Sequence, residues 1–237
     1  MGGDPLQCCY REQVAYALYA RFKCPKMYKY AQSGDWDLIP ARCQSHPKEA
    51  SFVNKYAPND TPLHRLLRYD CTRQVITDAT TLAQMQAWKL QAVQALLKAD
   101  RQTAAQPDAL GRNPLHLACC DDSAVSVAME ICRVNPRAAG MPDRVDQRTP
   151  LHYLVARGEG EIPLSLLRLL VETFPEAVRW PDVTGDTPLA IVENRREEIS
   201  NAEAVLEILR AAQVDPSQQR DKMRKQSSSS RVVPLVS

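Results

Sequence analysis

The stretch Asn113-Pro-Leu-His-Leu-Ala-Cys119 has the features of a turn that leads into a helix. Gly111, shortly before it, adopts positive φ readily, and Asn113 is a favourable N-cap residue. Pro114 suits the first helical position, where its missing N–H removes no helical hydrogen bond. Leu115 then begins an apolar helix face. The stretch therefore predicts a turn followed by a helix.

This heptamer recurs along the chain. Related segments are Thr61-Pro-Leu-His-Arg-Leu-Leu67, Thr149-Pro-Leu-His-Tyr-Leu-Val155 and the weaker Thr187-Pro-Leu-Ala-Ile-Val-Glu193. The motif starts at residues 61, 113, 149 and 187, so successive starts lie 52, 36 and 38 residues apart. Recurrence at periods of roughly 20 to 50 residues is typical of proteins built from repeated structural units.

The T/N-P-L-H motif and its helix–turn–helix context resemble the ankyrin repeat over about residues 27 to 213. The segments that follow the second helices look like a long-unit variant of algal type; they are His46-Pro-Lys-Glu-Ala50, Asn135-Pro-Arg-Ala-Ala139 and Phe174-Pro-Glu-Ala-Val178. The resemblance implies an all-α fold, a solenoid of helix–turn–helix units with short hairpin loops. It also implies a concave face that binds proteins.

The chain divides into three parts on this interpretation. An N-terminal segment, 1–26, has the apolar spacing of one helix, and a polar, basic and serine-rich tail, 214–237, is expected to be disordered. The repeat domain between them, 27–213, comprises a helical cap at 27–60, repeats starting near 61, 113, 149 and 187, and an insertion at about 70–85.

The insertion displaces the second helix of the first unit. Leu97, the apolar anchor of that helix, lies 36 residues after Thr61, against 18 and 21 residues in the next two units. Thr81 and Gln84 have the spacing of a capping box. We therefore expect a long helix over 82–99.

Met85 and Trp88 share one face of this long helix, in the half that should project beyond the other units. Two interpretations remain open for them. They form a secondary contact with a partner, or they pack against the preceding loop, since large exposed apolar patches are uncommon in monomers.

Composition excludes several classes of function. The 30 basic and 28 acidic residues leave a net charge of +2, which argues against a nucleic-acid-binding protein. No apolar run approaches the roughly 18 residues of a membrane span, and no secretory signal is visible. The 8 cysteines lack zinc-site spacing, and phosphate-binding motifs are absent, so no metal or cofactor is expected. We expect a monomeric intracellular protein, cytoplasmic or nuclear.

Three histidines occupy the same motif position, and two cysteines follow one of them. The resemblance implies that His64, His116 and His152 bond neighbouring repeats rather than ligate metal. His116 lies three and four residues before Cys119 and Cys120, so one cysteine of this pair is expected to share its helix face, and a thiol-reactive redox sensor or enzyme is an alternative function. No orienting third group or oxyanion hole is readable, and we therefore expect no enzymatic activity.

Acylation is a further alternative. Gly2 and the Cys8/Cys9 pair faintly resemble an N-myristoylation and palmitoylation start, which would make the chain a membrane-anchored adaptor. Leu6 stands where that motif requires serine or threonine, so the match is poor.

The main functional hypothesis is a non-catalytic scaffold or adaptor that binds protein partners through the concave face. Arginine and tyrosine often dominate interface energetics. The alternative for these charges is that they are merely solvated. The expected face residues are Asp60, Arg68, Tyr69, Arg112, Asp121, Arg148, Arg157, Asp186 and Arg195.

Overall fold

The computed structural model describes residues 24–55, 59–68, 79–121, 124–157 and 160–213, which form helices and turns with no strand among them. The predicted all-α class is confirmed. The helices are α1 (Lys26–Ser33), α2 (Ile39–Ser45), α3 (Pro62–Leu67), α4 (Ala79–Ala99), α5 (Pro114–Cys120), α6 (Val125–Val134), α7 (Pro150–Ala156), α8 (Leu164–Thr173), α9 (Pro188–Asn194) and α10 (Ala202–Gln213). The proposed N-terminal helix and the C-terminal tail lie outside the described residues.

The helices form two layers. Helices α1, α3, α5, α7 and α9 contact one another in chain order, and α2, α4, α6, α8 and α10 do the same. Within each pair the two helices also contact each other, as α5 does with α6. The buried apolar residues form one continuous core between the layers, because each helix has one apolar face.

The four motifs begin helices in the same way. Thr61, Asn113, Thr149 and Thr187 are N-cap residues with extended backbone, and each is followed by proline at the first helical position. In this geometry, groups close in the chain satisfy the free N–H groups at the start of each helix, as the sequence predicts. It places four short helices, α3, α5, α7 and α9, in one layer.

The residue two positions before each motif has positive φ. The values are 54° at Asn59, 81° at Gly111, 56° at Gln147 and 90° at Gly185. Gln147 does so although its Cβ disfavours this region, which costs about 1–2 kcal/mol. The backbone geometry therefore recurs even where the favourable residue is missing.

Helix α4 begins earlier than expected. It starts at Ala79, so Thr81 lies inside the helix and the predicted cap at Thr81 is wrong. The residues around Thr81 include no proline or glycine, and the helix continues through them. The side chains at 80–84 and 86–88 are exposed, so this half of α4 projects as predicted. Most of the predicted loop at 70–80 lies outside the described residues.

Short 3₁₀ turns follow the second helices, at Pro47–Glu49, Arg101–Ala104, Pro136–Gly140 and Pro175–Arg179. They return the chain to the next hairpin and bury small apolar side chains such as Ala138 and Ala177. The Asn113 side chain donates to the Ala138 carbonyl at 3.0 Å. The turn is thereby tied to the start of the helix in its own unit.

Two equivalent glycines allow a matched test of the turn geometry. A Cβ on Gly111 would lie 2.7 Å from the backbone nitrogen of Arg144, whereas a Cβ on Gly185 would meet nothing within 4 Å. We expect Gly185→Ala to cost about 1–2 kcal/mol from positive φ alone, and Gly111→Ala to cost clearly more. Urea unfolding of both variants measures this; equal losses would contradict the assigned contact.

Candidate functional site

The hairpins ahead of the motif helices lie side by side and carry most of the predicted site residues. Each is closed by a backbone hydrogen bond of 2.9 Å; the pairs are Asn54 N to Asp60 O, Asp108 N to Arg112 O, Asp143 N to Arg148 O and Asp182 N to Asp186 O. We call the last three the second, third and fourth hairpins, at residues 106–112, 141–148 and 180–186.

A buried aspartate organises each of these three hairpins. Asp108 Oδ1 accepts from the backbone N–H groups of Leu110 and Arg112 at 2.9 and 2.8 Å. Asp143 and Asp182 accept from their own loops in the same way. These residues were not predicted from the sequence, although the recurrent Pro-Asp dipeptide at each hairpin is a typical turn signal.

The second oxygen of each aspartate binds another side chain. Asp108 Oδ2 pairs with Arg68 from the preceding unit and with Arg112 Nε at 3.0 Å. Burial alone would raise the pKa of Asp108, but the hydrogen bonds and charges of these arginines hold it below its usual value. The predicted face residues Arg68 and Arg112 therefore bind a buried carboxylate.

Arg148 links the third hairpin to the fourth in a similar manner. Its guanidinium lies 2.8–2.9 Å from Asp182 Oδ2. Burial would raise the pKa of Asp182, yet the hydrogen bonds from Thr184 and Arg148 keep it well below its usual range. In the third hairpin the equivalent oxygen, on Asp143, accepts from the Tyr153 hydroxyl at 3.1 Å.

Asp60 is not on the exposed face where the sequence analysis placed it. Its side chain is completely buried and lies 3.2 Å from Arg68 Nε. Burial raises its pKa, and the neighbouring charge of Arg68 counteracts that effect. The prediction for Asp60 is wrong because the carboxylate turns inward toward Arg68 instead of toward solvent.

Arg157 and Arg195 hold the end of α7. One Arg195 nitrogen donates to the carbonyls of Val155 and Arg157 at 3.3 and 2.9 Å, and Nε pairs with Glu198 at 2.7 Å. Arg157 donates to the Glu161 carbonyl at 3.0 Å. A cation at a helix C-terminus satisfies carbonyls that have no partner within the helix.

Asp121 and the projecting helix meet at a buried lysine. Lys89 is 1% exposed; its Nζ lies 2.7 Å from Asp121 Oδ2 and 5.7 Å from the centre of the Trp36 ring. Met85 is also buried, so the prediction of a partner contact there is wrong; it faces the core. Trp88 is 36% exposed, as a contact residue must be.

All eight predicted face residues within the described part of the chain make intramolecular contacts. The remaining one, Asp186, accepts from the Thr184 hydroxyl at 3.1 Å, and Tyr69 lies outside the described residues. Arg68, Arg148 and Arg195 therefore connect one unit to another, and Arg112 and Arg157 bind groups close by in the chain. They are not freely solvated charges. Reversing their charge would therefore reduce the stability of the fold.

Two of the three motif histidines, His64 and His116, are neutral bridges between units. His64 and His116 accept the N–H of their own N-cap residues at Nδ1, at 3.3 and 3.1 Å. Nε2 therefore carries the proton, and it donates to the carbonyls of Arg112 and Arg148 at 3.3 and 3.0 Å. Burial lowers the pKa of His64 and of His116 to about 4.

These bonds weigh against thiol chemistry. Both ring nitrogens of His116 are engaged with the backbone, so the ring is not free to act as a base. Cys119 is fully buried and Cys120 is exposed, and desolvation raises the pKa of both thiols, which disfavours the reactive thiolate. The proposed acylation residues, Gly2 and Cys8/Cys9, lie outside the described residues.

The tips of the three hairpins carry exposed apolar side chains. Leu110, Val145 and Val183 are 43%, 57% and 65% exposed, and we call them the tip stripe. Backbone hydrogen bonds from Arg144 N to Leu110 O (2.9 Å) and from Val183 N to Asp146 O (2.8 Å) hold adjacent tips together. The sequence analysis missed this stripe because each member is a single apolar residue in a turn.

Within the part of the chain that the structure describes, no group of three or more His, Cys, Asp or Glu side chains is arranged to hold a metal ion. None of the described helices is long and apolar enough to cross a membrane. Comparison with protein-family models finds no family that matches the chain, and comparison with curated proteins finds no similar sequence.

The buried histidines predict acid sensitivity. Because their folded pKa of about 4 lies below the ordinary 6.5, the unfolded chain binds more protons between these values, and stability falls as the pH falls through this window. We expect a loss on the order of 2 kcal/mol per histidine between pH 7 and pH 5.

Urea unfolding at both pH values measures this loss. His116→Gln should reduce the difference between the two pH values, and His46→Gln, at an exposed histidine, is the matched control. The same pH dependence in all three proteins would contradict the role of the buried ring.

Arg148 and Arg144 provide a test of the hairpin ion pair. Arg148→Ala leaves the buried Asp182 carboxylate without its guanidinium, so we expect a loss of about 1–2 kcal/mol, moderated by the partial exposure of Arg148. Arg144→Ala, at an exposed side chain of the same hairpin, should change stability by less than about 0.5 kcal/mol. Indistinguishable melting curves would refute the structural role of Arg148.

Proposed function

We propose that the chain is a non-catalytic ankyrin-repeat scaffold that binds a partner protein through its row of hairpins. Support for the repeat comes from the four motifs, which share N-cap geometry and a residue with positive φ two positions earlier. The two layers of helices that contact in chain order are what a solenoid of such units requires.

One observation supports binding by the hairpins above all others. The buried carboxylates of Asp108 and Asp182 pair with arginines, whereas the apolar side chains of Leu110, Val145 and Val183 turn outward. Apolar side chains at the centre with a charged rim are typical of protein interfaces. Arg112 and Arg148, which remain 20% and 33% exposed, belong to the rim.

The surface is also preorganised. The backbone bonds between hairpins, the Arg148–Asp182 pair and the histidine bridges fix each tip relative to the next. A partner therefore binds a surface that needs little ordering, which lowers the entropic cost of association. This rigidity suits a scaffold, since it presents apolar groups at fixed intervals.

The same contacts are why we assign no catalytic role. A base needs an available lone pair and a nucleophile needs an accessible ionised group. His116 uses both nitrogens to connect units, and burial raises the pKa of the adjacent thiols. These residues hold the surface in place.

Proximity labelling in cells tests the proposal. We expect Val145→Asp/Val183→Asp to lose at least tenfold in labelling of the main partner, because desolvating the new carboxylates opposes binding. The melting temperature should stay nearly constant, since both sites are exposed.

Leu38→Asp is the matched control, because Leu38 is 45% exposed in the helical cap, before the first motif. It should label the same partners as the wild type. Retention of every partner by the Val145→Asp/Val183→Asp protein would refute binding by the tip stripe.

A further inference from the structure

The segment Arg231-Val-Val-Pro-Leu-Val236 differs in chemistry from the polar and basic sequence before it. It contains four aliphatic residues and a proline, whereas residues 214–230 contain only one valine and one methionine among polar and charged residues and a proline. An apolar segment connected by a polar linker is chemically suited to occupy an apolar surface on its own chain.

The described part of the chain ends beside the fourth hairpin. The carbonyl of Gln213, the last residue of α10, accepts a hydrogen bond from Arg179. Arg179 immediately precedes Trp180, where the fourth hairpin begins. The linker therefore starts at the base of the hairpin that carries Val183.

The linker is long enough to reach every tip. Residues 214–231 span at most about 60 Å when fully extended. Neighbouring helices pack about 8–10 Å apart, so the second hairpin lies about 20 Å from the fourth.

We propose that residues 232–236 dock on the tip stripe of the same chain and cover the surface that binds the partner. Pro234 restricts Val233 to extended backbone. In a polyproline-type conformation, residues three apart share a face about 9 Å apart. Val233 and Val236 have this spacing, as do Val232 and Leu235, and it matches the interval between adjacent tips.

Charge sets the direction of docking. Arg231 is the residue nearest the linker, and Asp186 presents a partly exposed carboxylate on the fourth hairpin, where the linker begins. With Arg231 beside Asp186, the aliphatic residues run from Val183 toward Val145. The segment then competes with a partner for these two tips.

Docking of the tail rests on the proposed function, because it would regulate partner binding at that same surface. Covalent connection through a short linker gives an effective concentration on the order of 1 mM. If the isolated segment binds with a Kd of about 0.1 mM, the tail weakens binding of any competitor by on the order of tenfold. A partner that binds the tip stripe more strongly than the tethered tail does displaces the tail.

A labelled peptide of residues 229–237 tests the proposal by fluorescence anisotropy against the full-length chain. We expect it to bind the tail variant Val233→Asp/Val236→Asp about tenfold more tightly than the wild type, whose own tail competes. Adding Val145→Asp/Val183→Asp to the tail variant should abolish binding.

Leu38→Asp in the tail variant is the control and should bind the peptide unchanged, since Leu38 is exposed far along the chain from the hairpins. Failure of the tail variant to bind at millimolar protein, equal affinity in wild type and tail variant, or binding insensitive to the tip substitutions would each overturn the proposal.

Sedimentation velocity separates docking within one chain from docking between chains. The wild type should sediment identically across a hundredfold range of concentration. Association that the tail variant loses would place the tail on a second copy and overturn docking within one chain. The two proposals can fail separately. If the tip substitutions abolish partner labelling but the peptide does not bind, docking of the tail is overturned and the proposed function stands.

Discussion

The neutral imidazole between consecutive units is the constraint on which the rest of the structure depends. Nδ1 accepts from the N-cap N–H of its own unit, and Nε2 donates to a carbonyl of the next unit, as His116 does to Arg148. The rings of His64 and His116 thus fix the hairpin of one unit against the helix of another. Because a buried imidazolium would lose the accepting nitrogen and its solvation, the ring remains neutral and the units are held together without charge.

The hairpins, in contrast, depend on charged groups. In each buried aspartate one carboxylate oxygen accepts hydrogen bonds from backbone N–H groups, and the other binds a cation or a hydroxyl group. Asp108 and Asp182 bind arginines in this way, and Asp143 binds Tyr153. While these carboxylates pair inward, Leu110, Val145 and Val183 are among the outward-facing side chains of the turns, beside exposed polar residues such as Arg144.

The first unit shows how this arrangement tolerates an insertion. Helix α4 is 21 residues long, and its C-terminal half packs in the second layer while its other half projects. Lys89 secures the projecting part through Asp121 and the Trp36 ring. This partly buried ion pair favours one orientation of the helix, and α4 keeps its contact with α6 despite the extra turns.

The sequence by itself determined the four motif helices, the all-α class and the turn before each motif, because N-caps, prolines and positive-φ positions act within a few residues. It also indicated the long α4, with an error at its start. The partners of Asp60, Arg68 and Arg148 were decided only by tertiary structure, since their contacts join residues 8 to 40 positions apart. The same holds for the apolar tips: a lone valine in a turn is ambiguous until the hairpins align and burial shows which side chains face water.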